Sequence, residues 1–126
     1  MNPHKRQSIL NLPAPERYGY LIRKVADVET IWLLRDAEGI TMLADDSGQA
    51  MIPVWPEEAF AALLLTGEWQ TYQTEEMAVE EFLAWLDELQ AENIQVAAFP
   101  TETLQSIVVE AHELKNHLLH ELEQYQ

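Results

Sequence analysis

The order of elements along this 126-residue chain predicts an α+β fold: a mainly antiparallel sheet of four to five strands with helices packed on one face. Two observations carry that expectation. Between residues 30 and 54, short β-rich segments are divided by the turn signals Asp36-Ala37-Glu38-Gly39 and Asp45-Asp46-Ser47-Gly48. On either side of that meander, apolar residues recur at helical spacing. The full order reads α-βββ-α-α-β-β-α.

Residues 1–13 read as a polar tether with Pro3, Pro13 and little periodicity, and residues 14–126 as one domain. Pro15 suits the first turn of a helix, with Glu16 on the favourable side of the dipole. Tyr18, Leu21, Ile22 and Val25 form its apolar stripe, while Arg17, Arg23 and Lys24 fall off it; the helix should stop between Ala26 and Glu29. Strands follow at Thr30 to Leu34, Ile40 to Ala44 and Ala50 to Val54. Pro53 cannot donate a ladder hydrogen bond, so the third strand is an edge or has a free side there.

Pro56 starts a short, nearly all-apolar helix at 57–66, with Glu57 and Glu58 in its positive first turn and Gly67 as its stop. Thr74 is placed to cap the next helix, with Glu75 and Glu76 in the first turn. Val79, Phe82, Leu83, Leu86 and Leu89 are its core stripe, and Asn93 is its left-handed stop. Ile94 to Phe99 reads as a well-covered strand ended by Pro100, and Ser106 to Val109 as a fifth strand. The last helix runs from Ala111 to Gln124.

Composition narrows the class. Hydrophobic residues make up 48% and charged residues 23%, a globular mix. Cysteine is absent, which excludes disulfides, thiolate catalysis and cysteine-ligated zinc. The apolar stretch Ile9, Leu10, Leu12 is too short for a secretory signal, and Ala59 to Leu65 is far below a membrane span. The expectation is a cytoplasmic protein. Its 22 acids against 7 bases give a net charge of −15, unevenly spread. Residues 1–24 hold five bases and one acid; residues 25–126 hold two bases and 21 acids. Such a field repels nucleic acid and anionic lipid and speeds encounter with a basic partner. Solubility is the plainer explanation of the same charge.

Catalytic signatures are missing. His112-Glu113-Leu114-Lys115-Asn116-His117 looks like a zinc-protease helix, but that motif needs histidines four apart, about 40° around the helix, not five apart and about 140°. Glu113, His117, His120 and Glu121 do share one stripe and form a candidate metal set; a solvated polar face is the plainer explanation. Ser8, Ser47 and Ser106 sit in no nucleophile elbow, and the scattered glycines cradle no phosphate. Among the tryptophans, Trp32 reads as core and Trp85 as the margin of a stripe. Trp55 and Trp69 bracket the short helix, either as exposed anchors or packed across the corner.

Several segments occur in a telling order: Arg17-Tyr18-Gly19-Tyr20, Arg23-Lys24-Val25-Ala26-Asp27, Ile31-Trp32-Leu33-Leu34, Pro53-Val54-Trp55-Pro56, Gly67-Glu68-Trp69, Glu81-Phe82-Leu83 and Ala97-Ala98-Phe99-Pro100-Thr101. The series, over residues 16–125, resembles a family of small bacterial proteins known only as domain of unknown function 2750. Two departures stand out: Ile40 follows the Gly39 turn where an aromatic is expected, and the loop after Phe99-Pro100-Thr101 lacks an expected glycine. The family supplies no activity, so the resemblance transfers no functional residue. The sequence therefore reads as a non-enzymatic, cofactor-free module that binds another protein and neutralises a basic partner. Trp55, Trp69, Glu57 and Glu58 are the candidate contacts. The rival readings are a metal-binding enzyme or sensor built on the His/Glu stripe, and a nucleic-acid mimic.

Overall fold

A computed structural model describes residues 2–125 of the chain. Helix α1 (Pro3–Leu10) leads into α2 (Ala14–Val28), and β1 (Thr30–Asp36) into the two-residue β2 (Gly39–Ile40). Strand β3 (Leu43–Ala44) then turns into β4 (Ala50–Val54). Both turns are built by an aspartate. Asp36 Oδ1 accepts from the Glu38 and Gly39 amides at 2.8 and 3.1 Å, and Asp45 Oδ1 from the Ser47 and Gln49 amides at 2.9 Å each. After α3 (Glu58–Ala62) come β5 (Gln73–Ala78), α4 (Val79–Ala91), β6 (Gln95–Ala98), β7 (Ile107–Val109) and α5 (Ala111–Leu122).

The α+β class holds, with a mostly antiparallel arrangement divided in two. One sheet has the order β2-β1-β5 and the other β3-β4-β6-β7, in which the β4/β6 pair is parallel. Reciprocal main-chain hydrogen bonds between Trp32 and Trp55, 2.9 Å each, join the sheets at one point. Two residues along that antiparallel register, Leu34 would meet Pro53, which has no N–H. The Leu34 carbonyl accepts instead from Thr41 N at 2.8 Å. Pro53 thus sits where the ladder between β1 and β4 stops, and the principal strands run β5-β1-β4-β6-β7 with one interruption.

Helices α2, α4 and α5 pack on one another and against β1, β6 and β7. Ile31 and Leu33 on one side of β1 and Leu34 on the other are all fully buried, so both faces of this strand are covered. From the helices, Leu21, Val25, Phe82, Leu86, Leu114 and Leu118 complete the core.

Four expectations need correction. The strand expected from Ile40 to Ala44 is broken into β2 and β3, which belong to different sheets. Residues 3–10, read as part of a tether, are a helix. Asn2 Oδ1 accepts from the His4 and Lys5 amides, Pro3 takes the first turn, and Ile9 is buried in the core. The signal was the Asn2-Pro3 cap rather than periodicity, since this helix has almost no apolar face. The helix expected at 57–66 is only α3; tight three-residue turns at Leu64 and Leu65 take over before Gly67. Lastly, Thr74, Glu75 and Glu76 belong to a strand. Residues Gln73 to Ala78 pair with β1 along its length, Arg35 holds Glu75 at 2.6 Å, and Thr74 Oγ1 donates to Glu58 Oε2 at 2.7 Å. The helix begins at Val79, so Glu80 and Glu81 occupy its first turn. A full antiparallel ladder outweighs the local capping preference.

Candidate functional site

The connection from α3 to β5 carries Trp69. Gly67, at φ 57°, turns the chain left-handed and opens a 3-10 turn over Gly67–Trp69. Trp69 then stacks on Tyr72, with ring centroids 5.9 Å apart and planes 10° from parallel. Opposite lies the loop between β6 and β7. Phe99 and Leu104 in this loop both take left-handed backbone, at φ 55° and 61°. Leu104 therefore occupies the kind of position that glycine normally fills, in the loop whose expected glycine is missing. The loop closes on itself through Leu104 N to Thr101 O at 2.8 Å and Thr101 N to Gln105 O at 3.1 Å.

Between these two segments lies a cleft of about 360 Å³. Leu63, Leu64, Trp69 and Leu104 make its apolar walls; Thr66, Glu68 and Glu102 make its polar rim. Leu104 is 47% exposed. The chemistry on offer is apolar contact beside two carboxylates. It suits recognition of a side chain that is apolar in one part and cationic in another.

The residues singled out from sequence fare unequally. Trp55 is 0% exposed and donates its indole N–H to the Pro100 carbonyl at 3.0 Å. It is core, not an exposed anchor. Glu57 faces inward as well: its Oε1 accepts from Tyr20 at 3.1 Å and meets Lys24 Nζ at 3.3 Å, and its Oε2 is buried without a partner. Of the bases near residues 17–24, Lys24 is in this respect an internal complement to an acid. Glu58 is exposed, but it takes up Thr74 and does not line the cleft. Trp69 alone of the four reaches the cleft. Sequence reading missed Leu63, Glu68, Glu102 and Leu104; the one available signal was the absent loop glycine.

The polar stripe of α5 packs against α2. Tyr18 Oη and His117 Nδ1 share a hydrogen bond of 2.5 Å, and their rings meet edge-on at 5.5 Å. Burial, reinforced by the Glu113 carboxylate, pushes the Tyr18 phenol well above its usual range. His117, His120 and Glu121 line a shallow groove with Tyr18, Ile22 and Arg23, from which Glu113 is absent. Among the described residues, no group of three or more His, Asp or Glu is placed to hold a metal ion. The Tyr18–His117 pair instead ties α2 to α5.

The tyrosines of α2 set a pH dependence. Burial, then the Glu57 carboxylate and the hydrogen bond to it, push Tyr20 up to about 12, against a lowering influence from Arg23. A raised folded value means that the neutral phenol stabilises the fold. That contribution is whole below the ordinary value of 10.0 and is lost as pH rises towards about 12. Tyr20→Phe should therefore be less stable than wild type at about pH 9, with the gap roughly halved at about pH 11. Urea midpoints of both proteins at the two pH values check this; a constant gap contradicts it.

Fold and cleft together define a small acidic α+β domain with an aromatic-walled, acid-rimmed cleft. The chain belongs to the DUF2750 family, a family of proteins of unknown function, whose signature matches residues 18–118. The cleft lies inside the matched span, whereas His120 and Glu121 lie outside it. No curated protein and no solved structure matches the chain. Among the described residues, no helix is long and apolar enough to cross a membrane.

Proposed function

We propose that this domain acts without catalysis, by binding a lysine- or arginine-rich segment of another protein in the cleft between Trp69 and Leu104. The observation that carries the reading is Leu104. A leucine held left-handed costs about 1–2 kcal/mol relative to ordinary backbone, and strain of this kind concentrates at functional positions. Here it supports an exposed apolar side chain at the wall of a cleft. Charge supplies the partner's chemistry. The two bases among residues 25–126 are already engaged, Arg35 with Glu75 at 2.6 Å and Lys115 with Asp87 at 2.8 Å. Among the described residues, Glu68 and Glu102 at the rim have no such neutralising partner. Covering such a segment would neutralise a basic partner.

A short peptide with one leucine among lysines is the direct probe. Titrated into isotope-labelled protein, it should shift the Trp69 indole and Leu104 resonances, and the shifts should weaken as salt is raised. The same peptide with glutamates for lysines should do nothing. Absence of any shift at the cleft with millimolar lysine peptide, or equal shifts with the glutamate peptide, defeats the reading.

A further inference from the structure

We infer that Arg17 is the positioning residue of this cleft: it staples the base of the loop that carries Glu102 and Leu104. The inference rests on the cleft being a binding site. Arg17 projects from α2 and is 4% exposed, although the helical pattern places it off the apolar stripe. The chain has 22 acids, yet among the described residues no carboxylate pairs with it. Its guanidinium bonds neutral main-chain carbonyls instead: Nη1 donates to Leu12 O at 2.7 Å, Nη2 to Gln105 O at 2.8 Å and Nε to Phe99 O at 3.3 Å. The charge also lies 5.9 Å from the centre of the Phe99 ring.

Burying a cation away from any anion is unfavourable, so the arrangement calls for a geometric reason. The carbonyls supply it. Phe99 and Gln105 bracket the loop, and Leu12 belongs to the junction of α1 and α2. One planar fork reaches all three; an ammonium on a single flexible stem cannot match that spread. The bracketed segment contains Glu102 and Leu104, and both of its left-handed residues, Phe99 and Leu104, are at or inside the staple. Such backbone persists only where its surroundings over-determine it. The start of the loop has other ties, Phe99 N to Val54 O at 2.9 Å and the Trp55 indole to Pro100 O at 3.0 Å. Beyond the loop's own Thr101–Gln105 bonds and its entry into β7, Arg17 secures the far end. It touches no cleft surface, so it acts through loop placement.

The test compares Arg17→Met, which keeps the aliphatic stem and its apolar contact but not the guanidinium, with Arg17→Lys, which keeps charge but not the fork. Hydrogen exchange should show protection of the Thr101, Leu104 and Gln105 amides falling at least about tenfold in Arg17→Met, while core amides such as Val96 and Phe82 hold. Affinity for the leucine–lysine peptide should fall about tenfold with it, and Arg17→Lys should lie between. A purely structural role would lower all amides together and would leave no local loss in Arg17→Lys; that result overturns the inference. So does loss of loop protection with peptide affinity unchanged. Should Arg17→Met not fold, Arg17→Lys decides by the same local criterion. If wild type binds no peptide, the cleft reading fails, and the exchange pattern still reports separately whether Arg17 holds the loop.

Discussion

Trp55→Ala is expected to lower stability by about 4 kcal/mol, a large part of what a domain of this size possesses. The indole is fully enclosed, and the residue stands where a bridge to Trp32 joins the two sheets. Its main-chain bonds to Trp32 survive truncation, but a cavity of side-chain size opens in the core. The Pro100 carbonyl, itself in a buried residue, also loses its donor. Trp55→Phe separates the two effects: with most of the volume kept, about 1–3 kcal/mol should be lost for the unpaired carbonyl and residual gap. Urea denaturation of both variants measures the difference. A loss below about 1 kcal/mol for Trp55→Ala is incompatible with a core role at this joint. Because Pro100 follows Phe99 at the start of the cleft loop, the alanine variant should also loosen Leu104.

Trp69→Ala is expected to behave in the opposite way. Its indole is partly exposed, stacks on Tyr72 and walls the cleft, so its loss removes binding surface without emptying the core. Under the proposed reading, affinity for the lysine-rich peptide should fall about thirtyfold, the roughly 2 kcal/mol of an interface hot spot. Stability should fall by less, on the order of 1 kcal/mol. Calorimetric titration and thermal melts on the same preparation give both quantities. If affinity stays at the wild-type level while the protein remains folded, Trp69 is no anchor. The two tryptophans bracket the same short helix, yet one should report on folding and the other on binding.

That contrast shows what local sequence could and could not convey. The Asp36 and Asp45 turns and the Asn93 stop are all readable because each depends on neighbours a few residues away, whereas the stop expected at Gly67 lies beyond the actual end of α3 at Ala62. Asp36 and Asp45 hydrogen-bond amides two to four residues on, and Asn93 takes φ 59°, as its local rule requires. The strand at Thr74 to Ala78 was not readable in the same way. Its threonine and paired glutamates resemble a helix start, and only the length of β1 beside it decides for a ladder. Helix α1 hid for a related reason, since Ile9 gives it a single buried contact in place of a stripe.

For the cleft, the sequence held fragments without their arrangement. Trp69 was visible as an aromatic beside a glycine stop, and the missing loop glycine was visible as a departure. Nothing within either segment says that they face one another across Leu63 and Leu64. Arg17 is the clearest case: its helical position places it outside the apolar stripe, while its partner Gln105 lies 88 residues away.

By itself, then, the sequence determined the α+β class, most turns and helix stops, the acidic body and the family to which the chain belongs. These follow from composition and from short-range backbone preferences, which need no distant partner. Tertiary structure alone decided which tryptophan is core, which glutamates face inward, where Pro53 divides the sheets, and that a buried arginine holds a loop wall. Burial and pairing are set by residues distant in sequence, and the same indole is either core or anchor according to what those residues place over it.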